Sequence, residues 1–284
     1  LSGQGFEVHV FTRRYDERLP AHIHQHVFDL FDHAARQRYI SEIQATHLLH
    51  AAWITSHGAY WDAPENESWK AMSLELVTEF AEHGGMRMVG IGTCAEYDWS
   101  CGVCSEHDAG NRPASLYGRQ KRETCSRLLD LFEEGKGLTG GWARMFHLYG
   151  PHENPRRLVP HVVQSCLQGK EILCSDGKQV RDYMYIEDAA AAVVSVLVSS
   201  CHGAINIGSG NRVELKSLIQ LIADKLHVGH LVKLGALPRP PGDPDLLVPD
   251  LSRFNAEISF VPQYSLGQGL DKTISFIKGE HASH

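Results

Sequence analysis

Tyr117 and Lys121 stand four residues apart in the run YGRQK. On a helix that spacing puts both side chains on one face, so a phenol and an ammonium sit side by side. A phenol ordinarily gives up its proton near pH 10, and lowering that to about 7 takes roughly 4 kcal/mol. An ammonium about 4 Å away supplies close to 4 kcal/mol at an effective dielectric of 20. The pair is thus suited to moving a proton to or from a substrate oxygen near neutral pH. Thr93 ends the apolar run MRMVGIGT. It would add a hydroxyl at the C-terminal edge of a buried strand, where a parallel sheet places its ligand.

Two other groupings bear on metal chemistry. Cys101 and Cys104 form a Cys-x-x-Cys pair, but the second pair that a zinc site would use is missing. The seven cysteines are scattered, odd in number and without framework spacing, and read as reduced thiols. His22, His24 and His26 alternate as on one face of a strand. They lack a carboxylate or thiolate at a ligand-like offset, so an exposed strand rim is expected and no metal.

The elements that must position these groups alternate along the chain. Phe6 to Thr12, HIHQHVFDLFD, ATHLLHAAW and MRMVGIGT read as strands, the last two apolar enough to be buried. SWKAMSLELVTEFAEHGG reads as a helix with Met72, Leu76 and Phe80 on one face. ASLYGRQKRETCSRLLDLFEEG follows as a helix and LTGGWARMFHLYG as a strand, then IEDAAAAVVSVLVSS as a helix and GAINIGSG as a returning strand. Strands alternating with helices predict a doubly wound parallel sheet, α/β in class. PHENPRRLVP and ALPRPPGDPDLLVPD are rich in proline and charge, as loops shaped around a ligand are. The opening strand and glycine turn expected of a dinucleotide fold are not found: Gly3 and Gly5 precede a strand rather than a helix.

In order, GTCAEYDW, YGRQK, RMFHLYGP, RLVP, QVRDYMYIEDAAAA, NIGSG and RPPGD resemble the extended short-chain dehydrogenases/reductases of the nucleotide-sugar epimerase and reductase group. The resemblance covers nearly the whole chain. It implies a Rossmann-like dinucleotide domain over residues 1–147 and 184–208, with a smaller interleaved substrate domain over 148–183 and 209–284. It implies further that Thr93, Tyr117 and Lys121 are catalytic, Lys121 also holding the nicotinamide ribose. Asp29 and Leu30 fall at the adenine, and His50, Ala51 and Ala52 beside the cofactor ribose. Phe146 and His147 fall near the sugar, Val159 against the nucleobase, and Arg181 and Arg239 at the diphosphate, where planar guanidinium forks give paired bonds.

Cofactor choice is read from the end of strand EVHVFT. An acidic residue there favours NAD, whereas an arginine meets a 2′-phosphate. The chain offers Thr12, Arg13 and Arg14, so NADP is expected, with NAD the alternative. Cys94 and Ala95 replace the Asp-Glu pair of sugar-nucleotide dehydratases. Ala95 and Arg157 stand where relatives resembling GDP-fucose synthase carry cysteine and histidine, and His147 stands for a common asparagine. The leading expectation is an NADP-dependent 4-ketoreductase of a nucleotide-linked deoxysugar. Its rivals are an NAD-dependent 4-epimerase and a catalytically silent dinucleotide-binding protein.

The bulk numbers agree with an enzyme of small molecules. At 284 residues and 43% hydrophobic content the chain can bury a full core, and 27 Lys and Arg against 34 Asp and Glu give a net charge of -7. That charge argues against nucleic acid as a partner. No apolar run approaches the roughly 18 to 20 residues that cross a bilayer. No signal-peptide pattern opens the chain, so a cytoplasmic enzyme is expected, and the family resemblance implies a homodimer.

Overall fold

The computed structural model describes residues 1–56, 58–108, 112–134 and 137–282. Its centre is a parallel four-stranded sheet in the order β10 (Gly203–Ile207), β6 (Thr139–Met145), β4 (Arg87–Thr93), β3 (His47–His50). Buried parallel strands must be apolar on both faces, and the residues divide accordingly. Met88 and Trp142 turn to one side, against α2 (Glu65–Glu82) and α3 (Leu116–Glu133) through Val77, Phe80, Leu128 and Phe132. Val89, Ala143, Ile205 and Ile207 turn to the other, against Ala189, Ala192, Val193 and Val196 of α5 (Ile186–Leu197). The expected doubly wound, Rossmann-like α/β sheet is therefore present. Gly90 makes it possible at one point, because a Cβ there would lie 2.3 Å from the Trp142 ring.

A second parallel pair, β1 (His9–Thr12) and β2 (His24–Val27), forms its own two-stranded sheet. Phe11 and Leu30 pack with Ile40 of α1 (His33–Ile43), Leu48 of β3, and Met72 and Leu76 of α2. Across that junction Arg36, 1% exposed, sends Nε to Glu79 Oε2 at 2.7 Å and Nη2 to Glu75 Oε2 at 2.8 Å. A third bond, from Nη1, caps the Leu30 carbonyl.

The stretch expected as one strand, LTGGWARMFHLYG, divides in two. At Phe146 the backbone N–H donates to the Ile207 carbonyl at 3.3 Å. Beyond it, β7 (His147–Tyr149) leaves the central sheet to pair in parallel with β9 (Val180–Tyr185). β9 also pairs with β11 (Arg212–Glu214) and with β13 (Leu246–Pro249), which continues to the short β5 (Val103–Cys104). A small pair, β8 (Ile172–Leu173) with β12 (Val232–Lys233), lies apart. Val159, Val162 and Val163 of α4 (Leu158–Leu167), Leu218, Ile219 and Ile222 of α6 (Leu215–Lys225), and Leu270, Ile274 and Ile277 of α8 (Leu266–Ala282) share one core. The short α7 (Ser252–Glu257) closes on the central sheet through Phe254. Among the described residues no helix is long and apolar enough to cross a membrane.

Candidate functional site

Thr93 is the last residue of β4, and the chain turns sharply after it. Its hydroxyl accepts from the Ala95 N–H at 3.2 Å, while its own N–H donates to Glu96 Oε1 at 2.8 Å, a reciprocal cap on the short turn Cys94–Glu96. Glu96 is fully buried and does more than close the turn. Oε1 also accepts from Trp142 Nε1, and Oε2 from Arg144 Nε, each at 2.8 Å. Arg144 then reaches the Tyr97 hydroxyl at 2.9 Å, which donates to Asn206 at 2.7 Å. The strand end is thus tied to β6 and β10 by charge-assisted bonds and has little freedom to move.

Tyr117 lies in the first turn of α3, whose cap is the Ser115 side chain accepting from Gly118 N–H. Gly118 is required by packing: a Cβ there would stand 2.1 Å from the Ala95 carbonyl oxygen. The first turn of α3 therefore lies directly on the turn that follows Thr93. Burial pushes the Tyr117 phenol well above its ordinary value, and the nearby Thr93 hydroxyl pulls it part of the way back. Tyr60 and Trp61 wall the phenol edge-on, with ring centroids 4.9 and 5.9 Å away. The Trp61 carbonyl also accepts from the Tyr117 N–H at 2.8 Å.

Lys121 follows one helical turn later and is 3% exposed. Its ammonium donates to the Ile91 carbonyl at 2.7 Å and lies 4.0 Å from the centre of the Trp53 ring. Burial lowers its pKa from 10.5 to about 7. The proximity that sequence spacing suggested between Lys121 and the phenol is not what sets the Tyr117 proton here; desolvation dominates both groups. His50, at the end of β3, is buried against Ser73 and held down to about 3 by burial and by the Lys121 charge.

The donor set suits a nicotinamide and its ribose. Lys121 carries three N–H donors, and a single hydrogen-bond acceptor, Ile91, is found for them among the described residues. The remaining donors are what a ribose diol would take. Farther along, Thr12 ends β1 with its hydroxyl donating to the Arg14 carbonyl, and Arg13 and Arg14 are exposed. Asp29 is exposed and accepts from Phe31 N–H, while Leu30 is half-buried. Ala51 is exposed and Ala52 partly so, beside the buried Trp53.

On the substrate side the placements diverge. The Phe146 ring is buried 6.2 Å from Tyr97. His147 has a buried Nδ1 with no hydrogen-bond partner among the described residues and is driven down to about 3 by burial, with Arg181 and Arg157 adding to the shift. Glu153 likewise has a buried Oε2 with no hydrogen-bond partner among the described residues and is raised to about 7 by burial. Val159 is 1% exposed and belongs to the core of α4, α6 and α8. Arg181 is bound to Asp243, and Arg239 to Asp176 and Asp245. Each guanidinium thus already has a carboxylate where a diphosphate was expected.

The profile of the NAD dependent epimerase/dehydratase family matches residues 1–208. The chain belongs to that family. An uncharacterised UDP-glucose epimerase of Bacillus subtilis (strain 168) is 27% identical over 205 residues, covering 71% of this chain and 64% of the relative. The UDP-glucose 4-epimerase of Corynebacterium glutamicum is 26% identical over 221 residues, 70% of this chain and 66% of that protein. A CDP-abequose synthase of Salmonella muenchen is 24% identical over 136 residues, 46% of each. The matches therefore span 37% to 66% of the length of such relatives. Among solved structures, a UDP-glucose 4-epimerase of Thermotoga maritima with UDP-glucose superposes with a TM-score of 0.84 at 21% identity, covering 99% of this chain and 93% of that one. A Thermus thermophilus UDP-glucose 4-epimerase in complex with NAD gives 0.75 at 22% identity, over 98% and 93%.

Within this epimerase/dehydratase member, several residues of the site were not singled out by spacing. Gly118, Trp53, Tyr60, Trp61 and Glu153 carry no periodicity of their own. Only Gly118 gave a signal, as a glycine inside a helix that would otherwise cost about 1 kcal/mol against alanine.

Proposed function

We propose that the chain inverts the C4 hydroxyl of a nucleotide-linked hexose with NAD as its retained cofactor, a nucleotide-sugar 4-epimerase. The observation that carries this reading is the packing of the first turn of α3 on the turn after Thr93, which brings Tyr117 to the end of the central parallel strand with Lys121 one turn along the same helix. Membership of the family and the two 4-epimerases among its likenesses support it. A bound nicotinamide would supply the acceptor and donor of the sugar hydride.

The chain's own residues would do the rest. Thr93 and Tyr117 would hold the reacting hydroxyl between them, and Tyr117 would exchange its proton. The raised phenol makes Tyr117 a proton donor as it stands. To accept a proton it needs a cation nearby, and the Lys121 ammonium turned from Ile91 toward a ribose would provide it. Burial by Tyr60, Trp61 and Trp53 would keep water away and strengthen these interactions.

Arg13 and Arg14 favour a second reading, an NADPH-dependent 4-ketoreductase, because both are exposed at the end of β1, where a 2′-phosphate would fall. One experiment separates the two. The chain is supplied with NAD and UDP-glucose, and in parallel with NADPH and a nucleotide-linked 4-keto sugar. Conversion of UDP-glucose to UDP-galactose without net cofactor turnover is expected. Stoichiometric NADPH consumption with no epimerisation would overturn the epimerase in favour of the reductase.

A further inference from the structure

The strand-rim histidines acquire the carboxylate that the sequence did not offer them. β1 and β2 pair with His9 opposite His24 and Phe11 opposite His26, so three imidazoles meet on one face. The His9 ring stacks on His24 at 4.7 Å and on His26 at 5.2 Å. Glu7, just before β1, brings one oxygen to both rings: Oε1 lies 3.2 Å from His9 Nε2 and 3.5 Å from His24 Nε2. All three candidate ligand atoms lie within 4.8 Å of one another.

Those separations have a chemical meaning. Bonds of about 2.0 to 2.1 Å at a tetrahedral zinc set neighbouring ligand atoms about 3.3 Å apart, close to both carboxylate–imidazole distances. One carboxylate oxygen faced by two imidazole nitrogens is a donor set that a cation between them would satisfy once the imidazole protons are displaced. The His9 ring is also oriented from behind, since its Nδ1 lies 2.9 Å from His26 Nε2. In the tautomer that donates from Nδ1, the one a metal would select, the His9 Nε2 lone pair faces Glu7 and His24. Supporting a ligand imidazole through its other nitrogen is how proteins fix the tautomer at a metal.

We propose that Glu7, His9 and His24 form a transition-metal site suited to Zn²⁺, with His26 as the positioning residue behind His9. Three protein ligands leave one position open to water. The site lies at the start of β1 and β2, whereas Thr93 closes β4, so it is independent of the proposed epimerase. Its effect is to clip two strands whose sheet shares no hydrogen-bonded strand with the central one.

Titration of the chelator-treated chain with Zn²⁺ alone tests this, with Co²⁺ absorption as the report on geometry. The expected result is one Zn²⁺ per chain, a tetrahedral Co²⁺ spectrum, and a melting temperature that rises with Zn²⁺ and returns with chelator. Glu7→Gln and His24→Asn, both at exposed side chains, weaken binding at least tenfold; His22→Asn leaves it unchanged. His26→Asn weakens binding without changing stoichiometry, which a merely structural histidine would not do. A Cys101→Ser background removes the Cys-x-x-Cys pair as a competitor. Absence of binding in that background, or affinity unchanged in both Glu7→Gln and His24→Asn, would overturn the assignment.

Discussion

Lys121 is the residue whose state decides most at the site, and its environment makes a stability prediction with a definite sign. The amine is lowered from 10.5 to about 7 by burial. Between those values the unfolded chain binds a proton that the folded chain does not, so stability rises with pH across that window and the cost is full below it. Lys121→Met should therefore raise the melting temperature at about pH 6 and give a clearly smaller gain at about pH 9. An equal gain at both pH values would contradict the burial account. Glu153 runs the opposite way: raised from 4.5 to about 7 by burial, it costs stability as pH rises through that range. Glu153→Gln is expected to stabilise at about pH 8 and do little at about pH 4, measured by the same melts. The placement of Tyr117 and Lys121 on one helix and of Thr93 at a strand end could be anticipated, because a four-residue spacing and an apolar run suffice for it; the dominance of desolvation over the charge of Lys121 at the phenol could not, because burial is set by the fold. The partners of Arg181 and Arg239 could not, because Asp243, Asp176 and Asp245 reach them only through the folded loop before β13.

At the scale of elements, the site depends on how closely α3 can approach the turn after β4. Gly118 sets that distance, and Gly118→Ala would drive a methyl group onto the Ala95 carbonyl. Overpacking of this kind costs about 1 to 3 kcal/mol. The variant should melt at a lower temperature and lose activity more than stability alone explains, because Tyr117 is displaced from Thr93. Normal activity in a folded Gly118→Ala protein would remove the close approach from the account. Most strands and helices were legible from apolar periodicity, since both faces of the central sheet are covered. The division at Phe146 was not: β6 and β7 are continuous in composition, and only the departure of the Ile207 partner strand separates them.

Across the whole molecule, the β1–β2 sheet is joined to the rest by side chains rather than by a strand ladder, and Arg36 carries much of that junction. Its buried pairing with Glu79 means that Arg36→Met would leave a carboxylate 5% exposed without its main partner. A loss of about 3 to 5 kcal/mol is expected in urea denaturation, and the double change with Glu79→Leu should recover most of it. The alternation of strands and helices made the parallel architecture readable in the sequence; the separation of β1 and β2 from the central sheet was not, because it depends on which strand edges meet. The central claim is that Tyr117, set beside the end of β4 by the close approach of α3, moves the proton of a nucleotide-linked sugar. The direct measurement is the rate of NAD-dependent UDP-glucose to UDP-galactose conversion by Tyr117→Phe against the unaltered chain, with folding checked by melting. A loss of about 10²-fold or more with the fold intact is predicted; a Tyr117→Phe protein that epimerises at the unaltered rate would contradict it.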